Sequence, residues 1–149
     1  MKQAMAAAAF VMAAALGAVL PGHALADPTN AAKPTGKYQL LFQVSENDPK
    51  QWNFALNMAF LFQKNIGKDN AEIEIVAIGP GLNMLKSGSK VTDRIAQAMD
   101  RSIDVVACGV TMKAMKVSKS DLIGGVRVVP GGLIELVNRQ RAGWNYIRP

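Results

Sequence analysis

The chain reads as an α/β protein built on a mainly parallel, five-stranded sheet with helices on both faces. Two observations predict this. Short apolar or alternating runs recur between segments of helical periodicity, at the spacing of strand-helix-strand units. The first of these runs, Tyr38 to Val44 (YQLLFQV), is nearly continuous in apolar and aromatic side chains, as expected of a strand covered on both faces.

Before the first strand, residues 1 to 26 open on Met1-Lys2, run through an Ala-rich apolar stretch from Ala4 to Leu20, break at Pro21-Gly22 and close on Ala24-Leu25-Ala26. A charged n-region, an h-region and an A-x-A site make this a cleavable signal peptide. A retained anchor needs about 20 strongly apolar residues, whereas this run has about 17, mostly Ala. Export to a periplasm and no stable membrane insertion follow as expectations. Residues 27 to 37 hold two prolines, a glycine and small polar residues, and read as a flexible leader to one domain over 38 to 149.

Asp48 is a suitable N-cap with Pro49 at the first helical position, and Trp52, Ala55, Leu56, Ala59, Phe60 and Phe62 recur at helical spacing until Gly67. Glu72 to Ile78 forms the second strand, ended by Gly79-Pro80-Gly81. Leu82 to Lys86 gives a short helical turn, and Val91 to Arg101 a helix with Ile95, Ala98 and Met99 inward. Ile103 to Ala107 is the third strand and delivers Cys108-Gly109 at its end. Thr111 to Met115 turns helically, and Ser118-Lys119-Ser120-Asp121 resembles a capping box. Val126 to Val129 is the fourth strand. After Pro130-Gly131-Gly132 a helix runs from Leu133 to Arg141, Gly143 ends it, and Trp144 to Ile147 is the fifth strand.

Cleavage after Ala26 removes the only histidine, His23, and leaves one cysteine, Cys108. A Ser-His-Asp triad, a Cys-His dyad and a His-containing metal site are thereby excluded. A lone cysteine also excludes an intramolecular disulfide framework. Removing Lys2 from 17 basic residues, against 11 acidic ones, leaves a net charge of about +5. Those bases are scattered, with Lys113, Lys116 and Lys119 in one group and Arg139, Arg141 and Arg148 near the end. They read as a solvated surface rather than a nucleic-acid patch.

Ligands of open α/β sheets bind outside the carboxyl ends of the strands. Here those ends are Ser45-Glu46-Asn47, Gly79-Pro80-Gly81-Leu82-Asn83, Cys108-Gly109-Val110-Thr111 and Pro130-Gly131-Gly132. Cys108 is the candidate catalytic residue. Gly79, Gly81, Asn83, Gly109, Thr111, Lys113 and Gly131 are the candidate ligand contacts, with Thr111 as a cap and Lys113 and Lys116 as cations favouring a thiolate. Glycines in such turns also serve tight geometry alone, and a free Cys can simply close a buried strand. Glu72 and Glu74 alternate on one face at the start of the second strand and read as solvated. Met84, Met99, Met112 and Met115 read as packing residues. Neither a metal nor a cofactor is expected.

The order of a Trp-Asn helix, the GPGLN loop, a strand ending in Ala107-Cys108-Gly109-Val110-Thr111, the VVPGG segment and the closing GWNYIRP resembles the DsrE/DsrF-like family, specifically its exported, single-domain members. The resemblance implies a three-layer α/β/α sandwich and homo-oligomers, commonly trimers or hexamers. Some relatives carry sulfur as a persulfide on a cysteine ending the third strand, a position that Cys108 matches. It implies an exported protein that binds or relays a small sulfur species with a sulfur donor or acceptor as partner. The other class is a non-catalytic, homo-oligomeric ligand-binding or assembly module in which Cys108 only packs. A thiol-disulfide redox enzyme would need its resolving cysteine from another chain.

Overall fold

The computed structural model describes residues 36–149. The signal-peptide reading of residues 1 to 26, and residues 27 to 35 of the leader, lie outside the described residues.

The first strand, β1 (Tyr38–Val44), leads into α1 (Pro49–Ile66), which begins where Asp48 accepts the Lys50 N–H at 2.8 Å. Gly67, at φ 94°, ends the helix in a backbone conformation that a Cβ would resist. A short 3-10 turn at Lys68–Asn70 precedes β2 (Ala71–Ala77), and a longer 3-10 segment at Gly79–Leu85 precedes α2 (Thr92–Asp100). Next come β3 (Asp104–Cys108) and α3 (Gly109–Ala114). The 3-10 turn Lys119–Asp121 carries the capping box that the sequence announced, with Ser118 and Asp121 bonded reciprocally. The chain closes with β4 (Arg127–Val129), α4 (Gly132–Arg141) and β5 (Asn145–Ile147).

All five strands are parallel, in the order β4-β3-β2-β1-β5. From β1 to β4 each new strand is added on the same side, so right-handed crossovers keep α1, α2 and α3 on one face. Trp52, Leu56, Ile95, Ala98 and Met112 from these helices bury against Leu40, Phe42, Ile73, Ile75 and Val105. The step from β4 to β5 returns across the whole sheet, and the same handedness puts α4 on the opposite face. There Leu136 packs on Leu41, Val76, Val106 and Val129, with Ile78 and Trp144 at the margin. The result is a three-layer α/β/α sandwich. Among the described residues no helix is long and apolar enough to cross a membrane.

Candidate functional site

The change of face creates the site. Cys108 ends β3 and Val129, its paired neighbour, ends β4; the chain leaves the first for α3 on one face and the second for α4 on the other. Neighbouring strands whose helices diverge leave a crevice at their carboxyl ends, where α/β sheets take their ligands. Here it is a cleft of about 430 Å³, lined by Cys108 with Ile78, Gly79, Val110, Thr111, Gly131, Gly132, Leu133 and Ile134. Its walls are apolar and its floor is the thiol. A second cleft of about 370 Å³ shares Gly79, Val110 and Thr111 and is bordered by Asn83.

Two glycines let the backbone close around the sulfur. A Cβ on Gly132 would stand 2.5 Å from Ile78 Cγ2 and 2.9 Å from Cys108 Cβ; one on Gly109 would stand 2.8 Å from the Val129 carbonyl oxygen. Neither position has room for a side chain. In consequence the Gly132 N–H donates to Cys108 Sγ at 3.1 Å and the Thr111 N–H donates to it at 3.4 Å. Cys108 is itself the N-cap of α3. Thr111 does not cap that helix, as the sequence reading had it; its Oγ1 accepts the Gly79 N–H at 2.9 Å and ties the β2 loop to the β3 loop.

Cys108 is 5 % exposed, and burial alone pushes its thiol up. Hydrogen bonds from the Thr111 hydroxyl and N–H, and from the Gly132 and Val110 N–H groups, outweigh burial and hold it below the ordinary thiol value. The Thr111 hydroxyl and the backbone N–H groups provide the stabilisation that the sequence reading assigned to lysines. Lys113 is exposed and does not line the cleft. Gly79, Thr111 and Gly131 line it, and Asn83 borders only the neighbouring cleft. Gly81 is buried where a Cβ would meet the Val44 carbonyl oxygen at 2.3 Å, so it serves the packing of its loop on β1. Gly109 likewise serves close approach to β4.

Sequence reasoning passed over Gly132 and the apolar wall of Ile78, Val110, Leu133 and Ile134. The signal for Gly132 was present: the second glycine of a pair opening a helix has its N–H free to point at a ligand. A further expectation is overturned. Glu74 is not a solvated strand residue but fully buried, bonded to Arg139 at 2.7 Å and Arg127 at 3.2 Å. It faces the layer under α4, which strand periodicity cannot distinguish from water. Arg139 is correspondingly not free surface charge, whereas Arg148 stays exposed and pairs at the surface with Glu46 at 2.6 Å. Glu72, by contrast, pairs with half-exposed Lys37 at 3.7 Å. Among the described residues no three His, Cys, Asp or Glu side chains are grouped to hold a metal ion.

The DsrE/DsrF-like family model matches residues 37–149, the whole of the folded domain. The chain belongs to the DsrE/DsrF-like family. No curated protein matches it. Among solved structures this DsrE-like chain is similar to a protein of unknown function, MTH1491 of Methanobacterium thermoautotrophicum. The two share 28% identity over 76% of this chain and 100% of that one, with a TM-score of 0.73. The ychN protein of E. coli shares the fold at 14% identity and TM-score 0.63, covering 76% of this chain and 99% of its own. BT1422 of Bacteroides thetaiotaomicron, another protein of unknown function, shares it at 20% identity and TM-score 0.61, over 74% and 93%.

Proposed function

We propose that this DsrE-like chain carries a small sulfur species as a persulfide on Cys108, in the periplasm and as a homo-oligomer. The observation that carries the reading is the thiol at the switch point, facing an apolar cleft with backbone N–H groups aimed at its sulfur. The chemistry balances without an imidazole or an external oxidant. The Cys108 thiolate attacks the outer sulfur of a donor persulfide, a new S–S bond forms, the donor S–S bond breaks, and the donor thiolate leaves with the electron pair. An acceptor thiolate reverses the step by taking the outer sulfur. Apolar walls suit polarisable, weakly hydrogen-bonding sulfur atoms.

Incubation with polysulfide should add mass in steps of about 32 Da, one sulfur each, that Cys108→Ser abolishes. An unmodified mass, with no reaction of the native protein toward an alkylating probe, overturns the proposal. A second reading is a non-catalytic binding or assembly module with a structural cysteine. The low exposure of Cys108 and the exposed Val110, Leu133, Ile134 and Val137 beside it favour that alternative. The same experiment separates the two.

A further inference from the structure

The two clefts beside Cys108 share Gly79, Val110 and Thr111 and present one continuous apolar surface. Around the thiol the side-chain walls are Ile78, Val110, Leu133 and Ile134, and the adjoining cleft adds Pro80, Ala114 and Met115. Among the described residues no charged side chain lines either cleft. Thr111 and Asn83 supply the polar side chains, and the Thr111 hydroxyl already accepts the Gly79 N–H at 2.9 Å. The flanking helices bring no cation to the walls. In α3 the basic residue is Lys113, exposed and outside the lining; in the first turn of α4 the charged residue is a carboxylate, Glu135, tied to Arg127 and Arg139. Positive partial charge is present at the two helix starts, and it is turned on the sulfur, to which the Thr111 and Gly132 N–H groups donate. One negative charge, the thiolate, is thus provided for, and a second is not.

We propose that this cleft selects its sulfur donor by charge: it takes a persulfide borne on a small, uncharged, apolar group and refuses donors that carry oxyanions, such as thiosulfate. The inference rests on the reading of Cys108 as a sulfur carrier and adds the class of donor to it. An oxyanion entering the cleft sheds water with no cation to replace it, beside a thiolate that repels it. An apolar body gains by leaving water, about fourfold in affinity for each methylene buried. The transfer balances. The Cys108 thiolate attacks the outer sulfur of R–S–SH, a new Sγ–S bond forms as the donor S–S bond breaks, and the donor thiolate leaves with the electron pair and takes a proton from water. Polysulfide in excess still loads the thiol, because its charge rests on large, polarisable sulfur atoms that hold water weakly.

Two aromatic disulfide reagents separate charge from reactivity: dithiodipyridine, which is uncharged, and dithiobis(nitrobenzoate), a dianion. The rate of the first over the second at Cys108 should exceed the same ratio for the neutral model thiol N-acetylcysteinamide by about tenfold or more. The positive net charge of the chain works the other way, since it draws the dianion in. N-alkylmaleimides from methyl to butyl should label Cys108 faster with each methylene, by up to about fourfold, against a flat series for the model thiol. Equal ratios, a preference for the dianion, no reaction with either reagent, or a flat maleimide series overturns the proposal. Val110→Lys sets a cation on the exposed wall that both clefts share and should pull the ratio down toward that of the model thiol; an unmoved ratio overturns the assignment to the cleft. Polysulfide mass increments without the probe preference would keep sulfur carriage and remove the donor class. The preference without increments would remove sulfur carriage, and the donor with it, and leave an apolar cleft around a thiol.

Discussion

Cys108 sits where one atom decides between packing and reactivity, and its neighbours are glycines for that reason. In Gly132→Ala the added Cβ meets Ile78 and Cys108 well inside contact distance, so the α4 N-terminus must back away. A stability loss of about 1–3 kcal/mol is expected from overpacking, together with a rise in the thiol pKa as the N–H···S bond lengthens. Chemical denaturation reads the first and the pH profile of alkylation reads the second. Thr111→Val should also raise the thiol pKa, because it deletes the hydroxyl that helps hold the sulfur as an anion. It strands the Gly79 N–H as well, at a cost of about 1–3 kcal/mol. An unchanged alkylation profile in both variants would show that neither the Thr111 hydroxyl nor the Gly132 N–H sets the reactivity of Cys108. The sequence named Cys108, Thr111 and the glycine loops because thiol chemistry and turn chemistry are local. It placed the thiolate-stabilising charge on Lys113 because proximity in sequence cannot show where a side chain lies.

Among the elements, α1 and α4 are stabilised by opposite means. The first helix is legible from its sequence: an Asp cap, a proline in the first turn and an apolar stripe that buries Trp52, Ala55, Leu56 and Ala59. Asp48→Ala should cost about 1 kcal/mol in a denaturant titration, since only the cap is lost. In α4 the residues Leu133, Ile134, Leu136 and Val137 suggest a core face from their spacing, yet of these only Leu136 is buried and the other three are exposed. Burial of Glu74 beneath this helix gives a pH signature. The folded-state acidity of Glu74 lies near 7, above the ordinary 4.5, so its contribution to stability is fully present below about 4.5 and is lost as pH rises to about 7. Thermal melts at pH values across this window should show the unaltered protein losing stability relative to Glu74→Gln. The differential loss is at most about 3 kcal/mol. A constant difference between the two proteins would exclude this titration.

Across the described residues as a whole, five parallel strands with three helices on one face and one on the other leave the second layer thin. A cluster of five buried residues serves that face, against the much larger core under α1, α2 and α3. Val110, Leu133, Ile134 and Val137 stand exposed beside the cleft, where an isolated chain would leave them in water. This patch leads us to expect an oligomer, and the family resemblance a trimer or hexamer, in light scattering. Ile134→Lys should shift it toward monomer without loss of the fold, and a monomer in both would remove the oligomer from the proposal.

Strand and helix order, the caps, the lone thiol and its place at the carboxyl edge of the sheet were determined by the sequence itself. They follow from periodicities of 2 and 3.6 residues and from turn chemistry, which act over a few residues. Tertiary structure alone decided that Cys108 opens on a cleft between diverging helices, that Gly132 donates to its sulfur, and that Glu74 is buried. Each of these depends on which face a helix crosses, a choice fixed by crossover handedness and strand order. The local pattern can mark a residue such as Gly132 as free to donate, but it does not say which distant partner receives the contact.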